Sequence, residues 1–262
     1  LLVTSGHSFY ITTPIYYANA KPHLGHAYAT VIADIFARYH RTQGDQTYFL
    51  TGTAEHGEKI IRAASTVGTG PQAFVDKHVE GYKELWKKLS ITNDYFIRNS
   101  DMKHHWPGAQ ALWKAIESTG DLYKGTYKGL YCVGCESFKT EKDLVEGKCP
   151  DHNTVCEQIE EENYFFKLSK YSDRIKQALV EDEIQIIPAT RKQELINFID
   201  EGLQDLSFSR PEGVVPWGIP VPDTENQMMY VWCEELSNYI SALGYGRSDD
   251  ENFKTFWPAN VH

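Results

Sequence analysis

The chain contains 262 residues, of which 41% are hydrophobic, and its formal net charge at pH 7 is −10. This length allows a sizeable buried core and exceeds the commonest size of a single domain. The acidic balance argues against non-specific nucleic-acid binding through bulk charge, although a local basic patch is compatible with it. No apolar run reaches the roughly 18 residues that a membrane span needs. The opening LLVTSG is too short for a signal peptide and is typical of a trimmed terminus.

The first part of the sequence alternates between strands and helices. Strands are predicted over residues 9–12, 47–51 and 94–97, and helices over residues 24–41, 57–65 and 72–89. Such alternation predicts a parallel sheet with crossover helices, in which ligands bind beyond the carboxyl ends of the strands. The apolar spacing on the first helix predicts one buried face, made of Ala29, Ile32, Ala33, Phe36 and Ala37.

Two histidines stand where the first strand turns into the first helix, in the sequence His23-Leu24-Gly25-His26. A helix N-terminus carries unpaired N–H groups and partial positive charge, so it holds phosphate oxygens well. Two imidazoles there can donate to oxygens that gain charge as a nucleotide α-phosphate is attacked, and Gly25 leaves room for the nucleotide. The motif therefore predicts nucleotidyl transfer from ATP, with a pair of surface histidines as the simpler alternative.

The cysteines are clustered: four of the five lie between residues 132 and 156. In a chain with no secretion signal, this clustering favours a metal site over disulfides. Cys132 and Cys135 form one knuckle, Cys149 and His152 form a second, and the four together have the spacing of a closed, structural zinc site. Cys156 is an alternative to His152 as the fourth ligand.

The character of the sequence changes after residue 118. We predict a first half of an α/β domain over residues 8–118, an insertion that carries the metal site over 119–212, and a return to the α/β domain over 213–262. Helices are predicted near residues 170–180, 191–201 and 234–243, and an apolar strand over 229–232, beside which Cys233 is expected to be simply buried. A candidate basic patch, for which a solvated face is the simpler interpretation, contains Lys124, Lys128, Lys139 and Lys142.

Several motifs occur in a fixed order along the chain. They are PIYYAN at 14–19, HLGH at 23–26, TGTAEHGEK at 51–59, LYCVGC at 130–135, ENYFF at 162–166, LSFSR at 206–210, WGIPVP at 217–222 and YVW at 230–232. On these motifs the chain resembles the N-terminal part of methionyl-tRNA synthetase, a class I aminoacyl-tRNA synthetase, from residue 9 to residue 262. The resemblance implies a Rossmann-like catalytic fold with an inserted zinc-knuckle connective-peptide domain.

The resemblance also implies the activity and its ligands. The family activates methionine with ATP to methionyl-adenylate and transfers it to tRNA(Met), with Mg²⁺ accompanying ATP and zinc as a structural ion. His23 and His26 are implied to stabilise the α-phosphate in the transition state, and together with Gly25 to bind ATP. The implied amino-acid pocket contains Ile15, Tyr17, Trp232 and Tyr239, together with positions 54 and 235. Reduced cysteines and the lack of a targeting segment predict a cytoplasmic location, a pattern that a mature mitochondrial or plastid protein shares.

The sequence departs from the family at two pocket positions. Ala54 stands where the family usually has the aspartate that pairs with the ammonium group of methionine, and Glu235 stands where it usually has alanine. Loss of the partner of a desolvated cation costs several kcal/mol. One hypothesis is that Glu235 supplies the missing carboxylate from the opposite wall. The alternatives are a changed amino-acid substrate, an inactivated pocket, and a Glu235 side chain that turns to solvent.

A third departure is that the sequence stops before the second half of the family's catalytic fold, which holds the Lys-Met-Ser-Lys-Ser loop. The chain is therefore expected to be a fragment with half an active site, and its activity in isolation is in doubt. Two further classes stay open: a small nucleotidyltransferase that does not use tRNA, and a non-catalytic paralogue derived from a synthetase. The zinc knuckles argue against the first, whereas Ala54 and the early end of the chain are compatible with the second.

Overall fold

The computed structural model describes residues 6–262; residues 1–5, in the opening segment, lie outside the described residues. The strands are β1 Ser8–Tyr17, β2 Gln46–Ala54, β3 Tyr95–Arg98, β4 Leu122–Cys132, β5 Ser137–Lys139, β6 Glu157–Phe166, β7 Leu206–Ser207, β8 Ser209–Pro211 and β9 Gln227–Met229. The helices are α1 Leu24–Gln43, α2 Glu58–Thr66, α3 Pro71–Lys88, α4 Trp106–Ser118, α5 Ser172–Val180, α6 Ala189–Asp200, α7 Val231–Glu234, α8 Asn238–Ser241 and α9 Glu251–Phe256. No helix within this range is both long and apolar enough to cross a membrane.

The predicted parallel sheet is confirmed, in the order β1-β2-β3. The register of β1 against β2 shifts between Thr12 and Ile15, around Pro14. Proline lacks the N–H that a sheet ladder needs, so it is tolerated at such an irregularity. Near its end the chain returns to this sheet, where Val261 forms a parallel bridge with Ile11 on the other side of β1.

Helix α1 lies on this sheet, but its buried face differs from the predicted one. Ala33 and Ala37 are buried as expected, whereas Ile32 and Phe36 are 38% and 46% exposed. Asp34 is buried instead, because its carboxylate accepts hydrogen bonds from Thr92 and Arg38. Apolar spacing could not reveal a buried carboxylate whose partner lies 58 residues away.

A second, antiparallel sheet has the order β5-β4-β6-β7. Strands β4 and β6 pair from Leu122 opposite Phe166 to Tyr131 opposite Glu157. Two of the four lysines in the candidate basic patch are paired with glutamates on β6: Lys124 with Glu162 at 3.2 Å and Lys128 with Glu160 at 2.8 Å. These pairs neutralise much of the patch, so the solvated-face interpretation is the better one.

The region after Pro211 differs most from the prediction. The strand β9 ends at Met229, and Trp232 lies in the short helix α7 rather than in a strand. The predicted helix over 234–243 is divided, since α7 ends at Glu234 and α8 begins at Asn238. Cys233 is buried, as predicted, but within a helix. The apolar run favoured a strand because periodicity does not distinguish short buried strands from short buried helices.

Candidate functional site

The two histidines of the first motif form the N-terminal cap of α1. His23 is the N-cap residue, and its Nδ1 accepts a hydrogen bond from the Gly25 N–H at 3.1 Å. The Nδ1 of His26 accepts from the His23 N–H at 3.0 Å, which completes a reciprocal capping box. The two rings stack with their centroids 3.8 Å apart. The cap thus satisfies two backbone donors with side chains that rarely serve this purpose.

This cap determines what the imidazoles can do. Because each Nδ1 accepts from the backbone, the proton of a neutral ring lies on Nε2, which stays available as a donor. Burial, and next the neighbouring His23, lowers the pKa of His26, so its ring is neutral at pH 7. A β-carbon on Gly25 would lie 3.0 Å from Cε1 of His23, so glycine also makes room for the stacked ring. The cap therefore presents N–H donors at the positive end of a helix of 20 residues.

The predicted pocket residues on the two central strands lie together at the carboxyl ends of β1 and β2. Ile15 and Ala54 are buried in one apolar cluster, and Tyr17 and Tyr239 pack against it. Tyr17 and Trp232 both pack against a neighbouring cluster, which contains Val231 of α7. Because Tyr17 takes part in both clusters, it connects the strand residues to α7.

Glu235 lies next to this cluster at the end of α7. It is only partly exposed, so it does not turn to solvent. Burial, and next the charges of Glu234 and Glu136, raises the pKa of Glu235 from 4.5 to about 8, although the Tyr17 hydroxyl opposes the rise. Burial and the two neighbouring glutamates thus favour the protonated form of Glu235, and the same surroundings favour the arrival of a cation.

Glu136 contacts two of the predicted pocket residues, which the sequence did not reveal. Its carboxylate accepts a hydrogen bond from the Tyr17 hydroxyl, and its backbone oxygen accepts one from Trp232 Nε1 at 3.0 Å. Burial raises the pKa of Glu136 to about 7, although the Tyr17 hydrogen bond and the charge of Lys59 oppose this. The only signal in the sequence was its place directly after Cys135, which gave no reason to expect a contact with Tyr17.

A buried polar network lies behind α7. Glu234 is fully buried, and its Oε2 accepts from Asn99 Nδ2 at 2.8 Å and lies 3.1 Å from His56 Nδ1. Asn99 in turn accepts from Asn238 at 2.8 Å. Burial raises the pKa of Glu234, but His56 and His105 outweigh this effect and lower it to about 2. The network fixes α7, which carries Trp232 and ends beside Glu235.

The four predicted metal ligands are brought together by the turns around β5. The ligand atoms of Cys132, Cys135, Cys149 and His152 all lie within 4.8 Å of one another. Cys135 Sγ lies 3.4 Å from Cys149 Sγ and 3.3 Å from His152 Nδ1. Ligands held about 2.3 Å from a tetrahedral zinc ion are about 3.8 Å apart, so the donor set fits zinc. Cys156 is buried beside Cys132 and Cys149 but is not one of the four.

Comparison with known families shows to which family the chain belongs. The family described as "tRNA synthetases class I (M)" matches residues 9–159 and 152–262. The chain belongs to this family. Within it, the Methionine--tRNA ligase of Caldanaerobacter subterraneus subsp. tengcongensis is 49% identical over 255 residues, which cover 97% of this chain and 40% of the relative. The Methionine--tRNA ligase of Thermotoga maritima is 47% identical over 258 residues and has the same coverage of the two chains.

Solved structures of class I (M) synthetases have the same fold. The Mycobacterium tuberculosis methionyl-tRNA synthetase in complex with methionyl-adenylate matches with a TM-score of 0.91 at 37% identity, over 98% of this chain and 50% of that chain. The apo form of the same enzyme matches with a TM-score of 0.81 at 35% identity, over 98% and 49% of the two chains. The chain corresponds to the N-terminal portion of these synthetases and spans about 40% of the length of the curated relatives it matches.

Proposed function

We propose that the chain is the methionine-activating portion of a methionine–tRNA ligase. In the proposed step, a carboxylate oxygen of methionine attacks the α-phosphorus of ATP, and the bond from that phosphorus to the bridging oxygen of the β-phosphate breaks. Methionyl-adenylate forms and pyrophosphate leaves with Mg²⁺. Transfer of the methionyl group to tRNA(Met) then releases AMP. The cap of α1, where the ring of His26 packs 4.8 Å from the ring of Tyr16, the neighbour of Tyr17 in β1, is the observation that carries this proposal.

The proposed roles follow from the chemistry of each group. The Nε2–H groups of His23 and His26 donate to α-phosphate oxygens as their charge increases, because fixed donors stabilise a charge that develops in the transition state. The aromatic side chains of Tyr17, Trp232 and Tyr239 surround the thioether, whose polarizable sulfur makes favourable contacts with rings. The cluster of Cys132, Cys135, Cys149 and His152 holds a structural zinc ion, since four protein ligands leave no open position.

The proposed division of the chain follows the predicted segments. Strands β4, β5, β6 and β7 all fall within residues 119–212, the segment proposed to be the insertion, and the parallel strands β1, β2 and β3 all fall within residues 8–118. We propose that residues 213–262 return to the parallel sheet, which the bridge from Val261 to Ile11 supports.

Glu235 is the proposed partner of the methionine ammonium group in place of the aspartate usual at position 54. Its position beside Tyr17 and its raised pKa support this role, because a carboxyl group crowded by Glu234 and Glu136 gains most from a nearby cation. A changed amino-acid substrate is the second candidate, and it too rests on Ala54 and Glu235.

Amino-acid-dependent exchange of pyrophosphate into ATP tests the function. The full gene product that contains this chain is assayed with methionine and with each other amino acid. Exchange with methionine alone supports the proposal, and exchange with another amino acid supports the changed-substrate candidate. The absence of exchange with every amino acid contradicts both and favours a non-catalytic paralogue.

A further inference from the structure

Glu136 connects the loop between β4 and β5, which contains the predicted metal ligand Cys135, to the proposed amino-acid pocket. It directly follows Cys135 in sequence and is 1% exposed. Its carboxylate accepts a hydrogen bond from the Tyr17 hydroxyl. Its backbone oxygen accepts hydrogen bonds from Trp232 Nε1 at 3.0 Å and from the Tyr230 hydroxyl. One residue of the loop therefore contacts three aromatic side chains from β1 and from the α7 region.

The backbone of Glu136 is held in an unusual conformation. Its φ angle is +50°, in the left-handed region that costs a residue with a β-carbon about 1–2 kcal/mol. Such a conformation persists where the surroundings fix it, and here the three hydrogen bonds do so. It aims the carbonyl at Trp232 while the side chain reaches Tyr17. A β-carbon on Gly57 would lie 2.4 Å from Glu136 Oε1, so the start of α2 leaves the carboxylate little space to move.

We propose that Glu136 is a positioning residue, which fixes Tyr17 and Trp232 and so makes affinity for the amino acid depend on the loop between β4 and β5, which carries Cys135 of the Cys3His cluster. This proposal rests on the proposed function, since Tyr17 and Trp232 are taken as pocket residues. Tyr17 has one hydroxyl group, which donates its hydrogen bond to Glu136, so the ring is ordered before the amino acid arrives. An ordered side chain spares the amino acid the cost of immobilising it on binding.

A set of variants in the full gene product tests the role. Glu136→Ala is expected to raise KM for methionine about tenfold in pyrophosphate exchange and to leave KM for ATP within twofold. Glu136→Gln keeps an acceptor for the Tyr17 hydroxyl and is expected to raise KM for methionine less than threefold. Tyr17→Phe removes the donor of the same hydrogen bond. The double variant is therefore expected to have a KM for methionine no higher than that of the more severe single variant.

The matched control is Glu146, which lies in the same segment, is exposed and has a φ angle of +51°. Glu146→Ala is expected to leave both KM values unchanged. Zinc is measured in every variant by metal analysis. If the ratio of zinc to protein in Glu136→Ala equals that of the wild type, the variant has not acted by losing the ion. A KM for methionine that stays within twofold in Glu136→Ala, or additive effects of Glu136→Ala and Tyr17→Phe, overturns the proposal.

A second readout does not depend on turnover. The fluorescence of Trp232 is taken as the difference between each protein and its Trp232→Phe derivative, without substrates. Glu136→Ala keeps the backbone oxygen that Trp232 Nε1 binds but removes the side-chain contact with Tyr17 that anchors residue 136. We therefore expect acrylamide quenching of this difference signal to increase at least twofold, and unchanged quenching shows that the Glu136 side chain does not fix Trp232. If the wild type shows no methionine-dependent exchange, the proposed function fails, whereas the quenching result still decides whether Glu136 fixes Trp232.

Discussion

Tyr17 and Ala54 are direct partners across the parallel strands β1 and β2. Paired residues of neighbouring strands present their side chains on the same face of the sheet, so position 54 lies beside the Tyr17 ring. The alanine methyl group is 1% exposed and offers no charge there. The nearby carboxylates instead come from outside the parallel sheet, from Glu136 and Glu235.

The proposed role of Glu235 can be tested by removing its carboxylate and introducing one at position 54 instead. Glu235→Ala is expected to raise KM for methionine roughly thirtyfold at pH 8, since removing one partner of a desolvated charge pair costs about 2 kcal/mol. Ala54→Asp in the same protein is expected to recover at least half of that loss on a logarithmic scale. Both values come from pyrophosphate exchange at varied methionine concentration.

The control for this pair is Ala54→Asp alone. The new carboxylate at position 54 would lie close to that of Glu235, and like charges in one site disfavour each other. We therefore expect Ala54→Asp alone to improve KM for methionine less than threefold. Retention of the wild-type KM by Glu235→Ala rules out an ammonium partner at position 235.

His23→Asn separates the capping role of His23 from its proposed catalytic role. Asparagine is a good N-cap residue and keeps an acceptor for the Gly25 N–H, but it has no donor at the position of Nε2. We expect kcat for exchange to fall about a hundredfold, the size found when one transition-state donor is removed. The melting temperature is expected to change by less than about 2 °C.

His7 provides the comparison, because it is exposed and precedes the opposite end of β1. His7→Asn is expected to leave kcat unchanged. If His23→Asn lowers the melting temperature so far that the protein unfolds at the assay temperature, the fall in kcat comes from loss of the helix cap. It is then not evidence for a role of His23 in the reaction.

The raised pKa of Glu235 predicts how stability depends on pH. Between pH 4.5 and about 8 the folded protein holds a proton on Glu235 that the unfolded chain lacks. The free energy of unfolding therefore receives a contribution that decreases as pH rises through this window. Glu235→Gln removes the contribution, so its melting temperature relative to wild type is expected to be a few degrees higher at pH 8 than at pH 5.

Differential scanning calorimetry at both pH values measures this difference. Glu146→Gln, at an exposed position, is expected to show none. The same ionisation predicts that KM for methionine falls from pH 6.5 to pH 8, because the ammonium group binds the ionised carboxylate. If KM for methionine does not depend on pH, or if it changes with pH equally in Glu235→Gln, Glu235 is not the partner of the ammonium group.

The proposed zinc site predicts which cysteines are needed for metal binding. Cys149→Ser is expected to lose the ion and to lower the melting temperature, because a structural zinc site contributes its binding energy to folding. Cys156→Ser is expected to keep one zinc per chain, since Cys156 is not among the four clustered ligands. Metal analysis after gel filtration measures both. Loss of zinc in Cys156→Ser, with retention in His152→Ala, would show that Cys156 is the fourth ligand.

Local structure was largely predictable from local sequence. The turn from strand to helix around His23 and His26 was predicted, because capping and apolar spacing act over a few residues. The prediction failed around Trp232, where a short apolar run fits both a strand and a helix. It also missed α4, which lies at residues 106–118. The roles of the site residues stay predictions until the variants are measured.

The sequence by itself determined the family, the parallel sheet and the clustering of the cysteines, since each depends on motifs or spacings that are short along the chain. It left His152 and Cys156 as alternatives, and only the structure groups His152 with the three cysteines. Only the tertiary structure decided that Glu136 meets Tyr17, 119 residues away, and that Glu235 lies beside both. Such contacts depend on how separate elements pack, and no local pattern encodes the distance between side chains on different elements. We therefore infer that the chemistry of the proposed pocket depends on how α7 and the loop between β4 and β5 pack against the ends of two strands.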